Sequence, residues 1–476
     1  MINQFKNPQT LKLGMVGGTN FGRYPFMSQE QTWNMIVVDG FLVDYPGYAK
    51  KTTIIDGGIG RGLKTSTRFN HMICGIDSGI FTINTNLNAT RVGTLVTEES
   101  DISIAENNNN EIAVCDGEKI YIYNYANGSF KTSGTDFDLD FIPAYVSFHD
   151  GRFNAAVKNK PLWRLSREGN GTDWTPPPGA TSTGTFETKA DNVNAVIPIP
   201  SKQNLIFVIG NIVTQAWTDV GRQLFPYVLN SATNIDYGCL SAFTIAESDK
   251  FVVWLGANEK SGLVIMYSAG GDAQTISTDG LNFKFNDLIN PKNSYGFLFN
   301  ISGHLIYQFT FPDNKISYAY DFETGLFFNV SNRYQEAHIA KRVAFFNDKY
   351  YFISFEDGNL YELGNQYATL DGEEMPRIRI PPTIRMPNTR PFIATSMDFL
   401  IEQGESTTDQ RVDICLSTDG GNNFGETVGY ELNQQGDRTN IFSLYNLGRQ
   451  NALTSQFRFW GKSRYVVGEG TLGVAV

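Results

Sequence analysis

The chain has 476 residues, and its composition excludes several classes of protein. Charged residues make up 18% and aromatic residues 13%, and 46 residues are glycine. This composition predicts a folded, turn-rich chain of two or three domains and excludes intrinsic disorder, collagen and coiled coil. The net charge of −11 leaves no overall basic footprint for tight nucleic-acid binding. Any contact with DNA is therefore expected to be loose or confined to a local patch.

Neither the first residues nor the apolar runs predict export or membrane insertion. The opening sequence MINQFKNPQTLKLG has no apolar core of the kind that a signal peptide needs. The longest mostly apolar run, residues 205–213, is too short to span a bilayer. The cysteines are far apart and predict reduced thiols in a chain made in the cytosol: Cys74, Cys115, Cys239 and Cys415.

The first 50 residues differ in character from the rest of the chain and are predicted to form an N-terminal arm or platform segment. From about residue 60 to residue 365 one unit then recurs, made of a short strand, a turn and a second strand. Runs such as Ile120–Tyr123 are β-branched and aromatic, as strands prefer. Asp-Gly and Asn-containing turns between them supply the positive φ angles that tight hairpins require.

The spacing of these units predicts the fold. The second strands start near His71, Glu111, Arg152, Asn204, Lys250, Gly303 and Lys349. A period of about 40–50 residues is typical of a β-propeller, so we expect an all-β chain with a propeller over residues 51–370. The count favours seven blades, and six remain open. A large irregular β-sandwich is the alternative.

Residues 371–391 break the pattern because they contain five prolines. Proline cannot donate to a sheet ladder, so this stretch is predicted to be a crossover that leaves the propeller. It also contains four arginines that are candidates for a contact with DNA or a partner: Arg377, Arg379, Arg385 and Arg390. Residues 392–476 contain six strand-like segments and predict a C-terminal β-sandwich.

The sequence points to no catalytic, cofactor or metal site. P-loop, nucleophile-elbow and H-E-x-x-H motifs are missing, and the histidines are scattered: His71, His149, His304 and His338. Asp136, Asp138 and Asp140 share one face of an extended segment. A solvated acidic strand is the main interpretation, and a Ca²⁺ site is the alternative.

The segment Ser417–Phe424 matches the Asp-box hairpin S-x-D-x-G-x-x-[WF]. Its Asp419 is expected to cap the turn, Gly421 to take a positive φ, and Phe424 to pack beneath. Asp boxes also occur in sialidases, which would need repeated boxes and an R-I-P motif. Arg379-Ile380-Pro381 is similar to that motif but lies late in the chain, and residues 277–283 are one residue short of a second box. We therefore interpret the box as a turn device, with a glycan-binding or glycan-cleaving propeller as the alternative.

Two stretches resemble the podovirus tail hub family, also called packaged-DNA-stabilisation or tail nozzle proteins. Asn34-Met35 and then Gly40–Lys50 are similar to that family's N-M…G-x-L-x-x-x-P-G-x-A-K, and Gly60-Arg61-Gly62 continues the likeness. Near the C-terminal end, the Asp box and Leu447-Gly448-Arg449 are similar to its S-x-T-D-G-x-x-Y/F-G and V-G-R. The residues that carry the resemblance are Asn34, Met35, Pro46, Gly47, Ser417, Asp419, Gly420, Phe424, Gly425, Gly448 and Arg449.

The resemblance implies a structural virion protein of a short-tailed bacteriophage, assembled in the host cytoplasm and without enzymatic activity. Family members form a six-fold ring below the portal and its adaptor ring, extend the DNA channel and help to retain packaged DNA. The implied partners are therefore other copies of the chain, the portal-adaptor ring, a tail needle or plug, and a tailspike or tail fibre. Double-stranded DNA would pass without tight binding, since an acidic conduit repels it.

Overall fold

The computed structural model describes residues 9–24, 29–387, 389–402, 410–432 and 439–475. Regular structure in these residues is almost entirely antiparallel β-sheet, as the alternating and β-branched segments predict. The N-terminal strands are β1 (Gln9–Lys12), β2 (Gln31–Trp33), β3 (Met35–Val38), β4 (Phe41–Asp44) and β5 (Gly47–Thr53).

Strands β6 to β33 and one short helix cover residues 60–364. The strands are β6 (Gly60–Ser66), β7 (His71–Ile76), β8 (Gly79–Ile83), β9 (Ala89–Thr94), β10 (Ser103–Glu106), β11 (Glu111–Cys115), β12 (Ile120–Asn124), β13 (Ser129–Thr132), β14 (Pro143–His149), β15 (Arg152–Val157), β16 (Leu162–Leu165), β17 (Thr183–Thr185), β18 (Val193–Pro198), β19 (Leu205–Gly210), β20 (Thr214–Asp219), β21 (Tyr227–Ile235), β22 (Gly238–Cys239), β23 (Ala246–Glu247), β24 (Val252–Ala257), β25 (Val264–Ser268), β26 (Gln274–Thr275), β27 (Tyr295–Ile301), β28 (His304–Phe311), β29 (Ile316–Asp321), β30 (Leu326–Val330), β31 (Ala340–Phe346), β32 (Lys349–Ser354) and β33 (Asn359–Gly364). The helix is α1 (Asp279–Phe285), and short 3-10 turns lie at Ala242–Thr244, Pro291–Asn293 and Pro312–Asn314.

These strands form successive antiparallel meanders, each a small sheet of mostly four strands. The sheets are β6-β7-β8-β9, β10-β11-β12-β13, β14-β15-β16-β17, β18-β19-β20-β21, β22-β24-β25-β26 with β23 on β24, β27-β28-β29-β30, and β31-β32-β33-β5. The turns are built as the sequence predicts. Between β14 and β15, for example, Asp150 and Gly151 have φ of 44° and 76°, which is the type I′ geometry of a two-residue hairpin.

Each sheet shares an apolar core with the next, and the last shares one with the first. Leu63 and Met72 of the first sheet pack with Phe346 and Ile353 of the last. The last sheet also takes its outer strand from the start of the chain, because β5 pairs with β33. The ring of sheets is therefore closed, and the predicted β-propeller architecture is confirmed.

The chain then continues through seven further strands. They are β34 (Arg377–Ile380), β35 (Phe392–Glu402), β36 (Arg411–Ser417), β37 (Thr427–Glu431), β38 (Thr439–Gln450), β39 (Thr454–Trp460) and β40 (Val466–Ala475). One sheet has the order β3-β4-β40-β35-β38, with β1 on β40. The other strands extend the β27–β30 sheet in the order β2-β34-β39-β36-β37. Both sheets contribute to one apolar core that includes Met35, Phe399, Phe457 and Val467.

Strand pairing therefore crosses the predicted boundary at residue 50, since β5 runs from 47 to 53 and β1 to β4 join the C-terminal sheets. The predicted divisions 1–50, 51–370, 371–391 and 392–476 stay predictions.

One short helix interrupts the β-structure at a segment that the sequence does not mark as helical. Residues 277–283 are one residue short of a second Asp box. In the structure, Thr278 caps helix α1 by accepting a hydrogen bond from the Leu281 backbone N–H at 3.3 Å. Ser, Thr and Asp favour helix N-termini as well as turns, so the same residues fit both structures.

Candidate functional site

The N-terminal motif lies at a joint where the propeller ring closes and the C-terminal sheets begin. We define this joint by Asn34, Asp44, Gly47, Arg377 and Arg379. Asn34 links its two sides. It is buried with a φ of 52°, and its side-chain amide donates to Ser331 Oγ at 2.8 Å and to the Pro376 carbonyl at 2.9 Å.

Pro46 and Gly47 lead from β4 into the closing strand β5. Gly47 donates its backbone N–H to the Tyr367 carbonyl at 3.1 Å. A Cβ at this position would collide with the carbonyl oxygens of Tyr367 and Thr369. Glycine is therefore required by close backbone approach, and this accounts for the Pro-Gly of the motif in structural terms.

Arg377 is fully buried and forms a two-point ion pair with Asp44. Its Nε and Nη2 donate to the two carboxylate oxygens at 2.8 and 2.9 Å, and the two side chains are 0% and 3% exposed. The guanidinium also lies 5.4 Å from the ring centre of Tyr465. Burial raises the pKa of the Asp44 carboxyl, and the Arg377 charge counteracts that rise. The pair ties β4 to β34, two strands far apart in the sequence.

Arg379 occupies a second buried site two residues further along β34. Its guanidinium donates to Glu30 Oε1 at 2.7 Å and to the carbonyl oxygens of Gly14, Met15 and Gly18. Burial lowers the pKa of Arg379 from its usual value, and the Glu30 carboxylate opposes this.

The four predicted contact arginines thus fall into two groups. Arg377 and Arg379 lie inside the protein, held by the chain itself, rather than on a surface that DNA or a partner could reach. Arg385 and Arg390 are exposed. For Arg385 and Arg390 the predicted contact with a partner or with DNA stays a prediction.

Gly60-Arg61-Gly62 lies on the first strand of the ring. Arg61 is 0% exposed and donates to the Asp77 carbonyl at 2.7 Å and to the Thr97 carbonyl at 2.6 Å. A Cβ on Gly62 would collide with Ile102 of the next sheet. This motif therefore joins adjacent sheets close to the point of closure.

The Asp box forms the predicted turn between β36 and β37. Asp419 Oδ1 accepts the backbone N–H groups of Asn422 and Asn423 at 3.0 Å each, and Ser417 Oγ donates to it at 2.6 Å. These bonds hold the pKa of the Asp419 carboxyl well below its usual range. Gly420 and Gly421 both have a positive φ, 81° and 91°.

The remaining motif residues have different environments. Phe424 is half-buried and Gly425 is exposed, while Met35 is fully buried in the C-terminal core. Gly448 and Arg449 are exposed near the end of β38, where Gly448 has a φ of 79°.

The described residues offer little reactive chemistry. They contain no group of three or more His, Cys, Asp or Glu side chains that could hold a metal ion. Of the proposed acidic face, Asp140 pairs with Arg164 at 2.6 Å and Asp136 accepts the Thr132 N–H at 2.7 Å. Burial raises the pKa of the Cys115 and Cys239 thiols to about 12, which makes both poor nucleophiles at neutral pH.

None of the described helices is long and apolar enough to cross a membrane.

Two cavities flank these elements. One of about 510 Å³ opens beside the joint, next to Asp44 and Tyr465. Another of about 280 Å³ lies where the first strands of several sheets meet, with Lys64, Tyr145 and Arg342 among its lining residues.

The sequence alone does not identify Glu30 and Asp44, the acidic partners of the two buried arginines. The feature that could have indicated them is the alternation Arg377-Ile378-Arg379-Ile380 in a strand-like segment, which places both arginines on one face of a strand.

The small antiparallel sheets form a closed ring, and strands from both ends of the chain form further sheets beside it. This arrangement defines a β-propeller protein with additional β-sheets. A family model described as bacteriophage P22 Gp10, beta-propeller, matches residues 23–363. The match covers well over half of the chain, which therefore belongs to this phage stabilisation family. The resemblance found in the sequence is confirmed, and the chain is a phage structural protein.

Three solved structures have a similar course of the chain at low sequence identity. The N-terminal domain of Nup159 has a TM-score of 0.42 and 12% identity, over 74% of this chain and 99% of that chain. The virginiamycin B lyase from Staphylococcus aureus has a TM-score of 0.46 and 11% identity, over 67% and 99%. The WD40 propeller of Doa1 has a TM-score of 0.40 and 12% identity, over 67% and 97%. A search of curated protein sequences finds no match.

Proposed function

We propose that this chain forms a six-fold tail hub, or nozzle, of a short-tailed phage, placed below the portal-adaptor ring. The observation that carries the proposal is the family match over residues 23–363. In this role the ring extends the DNA channel, helps to retain packaged DNA and anchors the needle and the tailspikes or fibres.

The proposed architecture is a seven-bladed propeller followed by a C-terminal β-sandwich. The seven small sheets of residues 47–364 correspond to the blades. The sandwich consists of the two sheets around the core of Phe399 and Phe457, and it includes β1 to β4 from the start of the chain. The buried Asp44–Arg377 pair would fix the two sheets of the sandwich to each other. Asn34, which donates to Ser331 after β30 and to the Pro376 carbonyl, would join the sandwich to the propeller.

The size of the cavity at the middle of the propeller supports a channel made by several copies. A bore only as wide as the major groove of DNA, about 12 Å, holds about 110 Å³ in each ångström of its length. The cavity of about 280 Å³ would therefore fill less than about 3 Å of such a bore. A duplex therefore cannot pass through one propeller. A ring of copies with a net charge of −11 each would instead surround DNA and repel it, so that DNA slides.

The proposal is tested with particles assembled without this chain. Such particles are expected to package DNA and then lose it, so that nuclease digests their DNA, and supply of the purified chain should restore protection. Full retention of DNA in particles that lack the chain would contradict the proposal.

A glycan-binding or glycan-cleaving propeller is the second candidate, because the Asp box occurs in sialidases. We expect the purified chain to hydrolyse none of a broad panel of glycosides. Hydrolysis that Asp419→Ala abolishes without a change in melting temperature would favour this candidate instead.

A further inference from the structure

The C-terminal sheets end in a long strand with an open edge. β38 has 12 residues and is the longest of the described strands. It pairs on one side with β35 and stands last in its sheet, so no described strand covers its other side. An uncovered edge carries unpaired N–H and C=O groups and is a ready template for another strand.

The outer strands of the propeller sheets are protected against pairing, but residues 439–445 of β38 are not. In natural proteins, edge strands avoid pairing with other chains because they carry charges, are short or contain bulges. Accordingly, β9 and β13 contain Arg91 and Lys131, β17 has three residues and β26 has two. β21 is interrupted by a shift in register opposite Gln215 and Trp217. β38 has a register shift between Tyr445 and Gly448 and a charge at Arg449, both near its C-terminal end. Its residues 439–445, in contrast, have neither a charge nor a bulge.

The exposed face of this edge is apolar. Ile441 is 72% exposed and Tyr445 is 68% exposed, and both point to the same side of the sheet with Ser443 between them. A β-branched residue and an aromatic residue are a favourable cross-strand pair.

A second edge lies beside the first. β37 is the last strand of the other C-terminal sheet, and its Tyr430 ring is 6.3 Å from the Phe442 ring of β38. Val428 of β37 is 45% exposed. Both sheets are therefore open at the same end of the molecule.

The sequence of β38 is complementary to itself. When two copies are aligned antiparallel about Ser443, Ile441 faces Tyr445 of the second strand and Phe442 faces Leu444. Ser443 then lies opposite its own copy, and no like charges meet. We infer that β38 pairs with β38 of a second copy across a two-fold axis, so that one sheet runs through both subunits. The same axis brings the β37 edges of the two copies together.

This inference does not depend on the proposed ring. A two-fold contact is closed after two subunits and cannot propagate around a six-fold axis. The contact therefore belongs to the protein outside the ring, where it covers an edge that would otherwise be free to aggregate.

Sedimentation velocity of the full chain over a range of concentrations tests the inference. Wild type is expected to show a concentration-dependent dimer, and Ser443→Lys should remain monomeric because two like charges would face each other at the axis. The new lysine can still contact Asp398, the present partner of Ser443. Thr90→Lys, on the exposed outer strand β9, is the matched control and should dimerise as wild type does.

Disulfide trapping tests the register. Residues directly opposite in an antiparallel pair have Cα atoms about 4.5–5.5 Å apart, which suits a disulfide. Ser443→Cys should therefore give a covalent dimer on oxidation, and Thr90→Cys should not. The native cysteines are all buried and should not interfere.

Wild type that is monomeric at all soluble concentrations would overturn the inference, as would equal cross-linking of the two cysteine variants. A solution hexamer that Ser443→Lys leaves intact, without any dimer, would also overturn it while supporting the ring. If Ser443→Lys abolishes the dimer but the phage particle does not contain the chain, the inferred dimer is supported and the proposed function is contradicted.

Discussion

Asp419 is important as a turn residue because its carboxylate organises the hairpin between β36 and β37. We expect Asp419→Ala to lower the melting temperature of the C-terminal sheets and to leave the propeller transition unchanged. Asp419→Asn keeps one acceptor oxygen and should lie between wild type and the alanine variant. Because the pKa of Asp419 is depressed in the folded chain, this stabilisation is complete above the unfolded pKa of about 3.9 and is lost as the pH falls below it.

Ser417, the buried partner of Asp419 in the turn, is expected to contribute to the free energy of unfolding. Ser417 is 1% exposed, accepts the Gly421 N–H at 3.0 Å and donates to Asp419. Ser417→Ala should reduce the free energy of unfolding of the C-terminal sheets by about 1–3 kcal/mol, because a buried N–H group loses its acceptor. Chemical denaturation followed by intrinsic fluorescence measures this, and an unchanged midpoint would contradict the assigned role.

Arg377 should be far more sensitive than a surface arginine. Arg377→Ala leaves Asp44 buried and unpaired and is expected to cost about 3–5 kcal/mol of unfolding free energy. Arg377→Lys keeps the charge but loses the two-point geometry. It should therefore reduce the unfolding free energy, but by less than Arg377→Ala does. Arg333→Ala, which removes an exposed ion pair with Glu373, is the control. An equal loss of unfolding free energy in Arg377→Ala and Arg333→Ala would contradict the structural role assigned to Arg377.

The burial of His338 predicts that the stability of the propeller depends on pH. It is buried among Tyr45, Tyr48 and Phe352, and burial lowers its pKa from 6.5 to about 3. Between these values the unfolded chain binds a proton that the folded chain does not, so stability falls as the pH falls below 6.5. The loss from this residue should reach about 2 kcal/mol at pH 5.

The His338→Asn variant isolates that effect. It removes the titrating ring and keeps an acceptor near the position of Nδ1, which now accepts the Ala340 N–H at 3.2 Å. Denaturation at pH 7 and pH 5 should show a smaller pH-dependent loss in the variant than in wild type. Identical losses would show that another group is responsible.

Among the elements, β5 has the special position of closing the ring from the start of the chain. Gly47→Ala forces a Cβ against two backbone carbonyls at the beginning of this strand and should destabilise the propeller by about 1–3 kcal/mol. Gly271→Ala, where nothing lies within 4 Å of the new Cβ, is the matched control. Differential scanning calorimetry measures both, and an unchanged melting temperature of Gly47→Ala would contradict the close approach.

The predictability of the elements depended on the range of the interactions that form them. Hairpins such as β14–β15 could be predicted because Asp150-Gly151 fixes the turn locally. The pairing of β5 with β33 and of β2 with β34 joins residues more than 300 positions apart, and no local pattern encodes such pairs. Helix α1 was missed because its seven residues are too few for a helical period to stand out.

At the scale of the whole molecule, the repeat period and two terminal motifs were sufficient to predict the propeller and the family. The role of the motif residues was not predictable, because burial decides it. Arg377 and Arg379 occur in a basic, proline-rich stretch, which made them candidates for a contact with DNA or a partner. Only the fold shows that Asp44 and Glu30 meet them in the interior.

The most direct test of the account is a reconstruction of the phage particle that locates this chain. Six copies around the tail axis, directly below the portal-adaptor ring, are the predicted result. Subunit contacts in such a permanent ring should each bury on the order of 2,000 Å² or more. A different copy number at that position, or a location away from the tail axis, would contradict the tail-hub account.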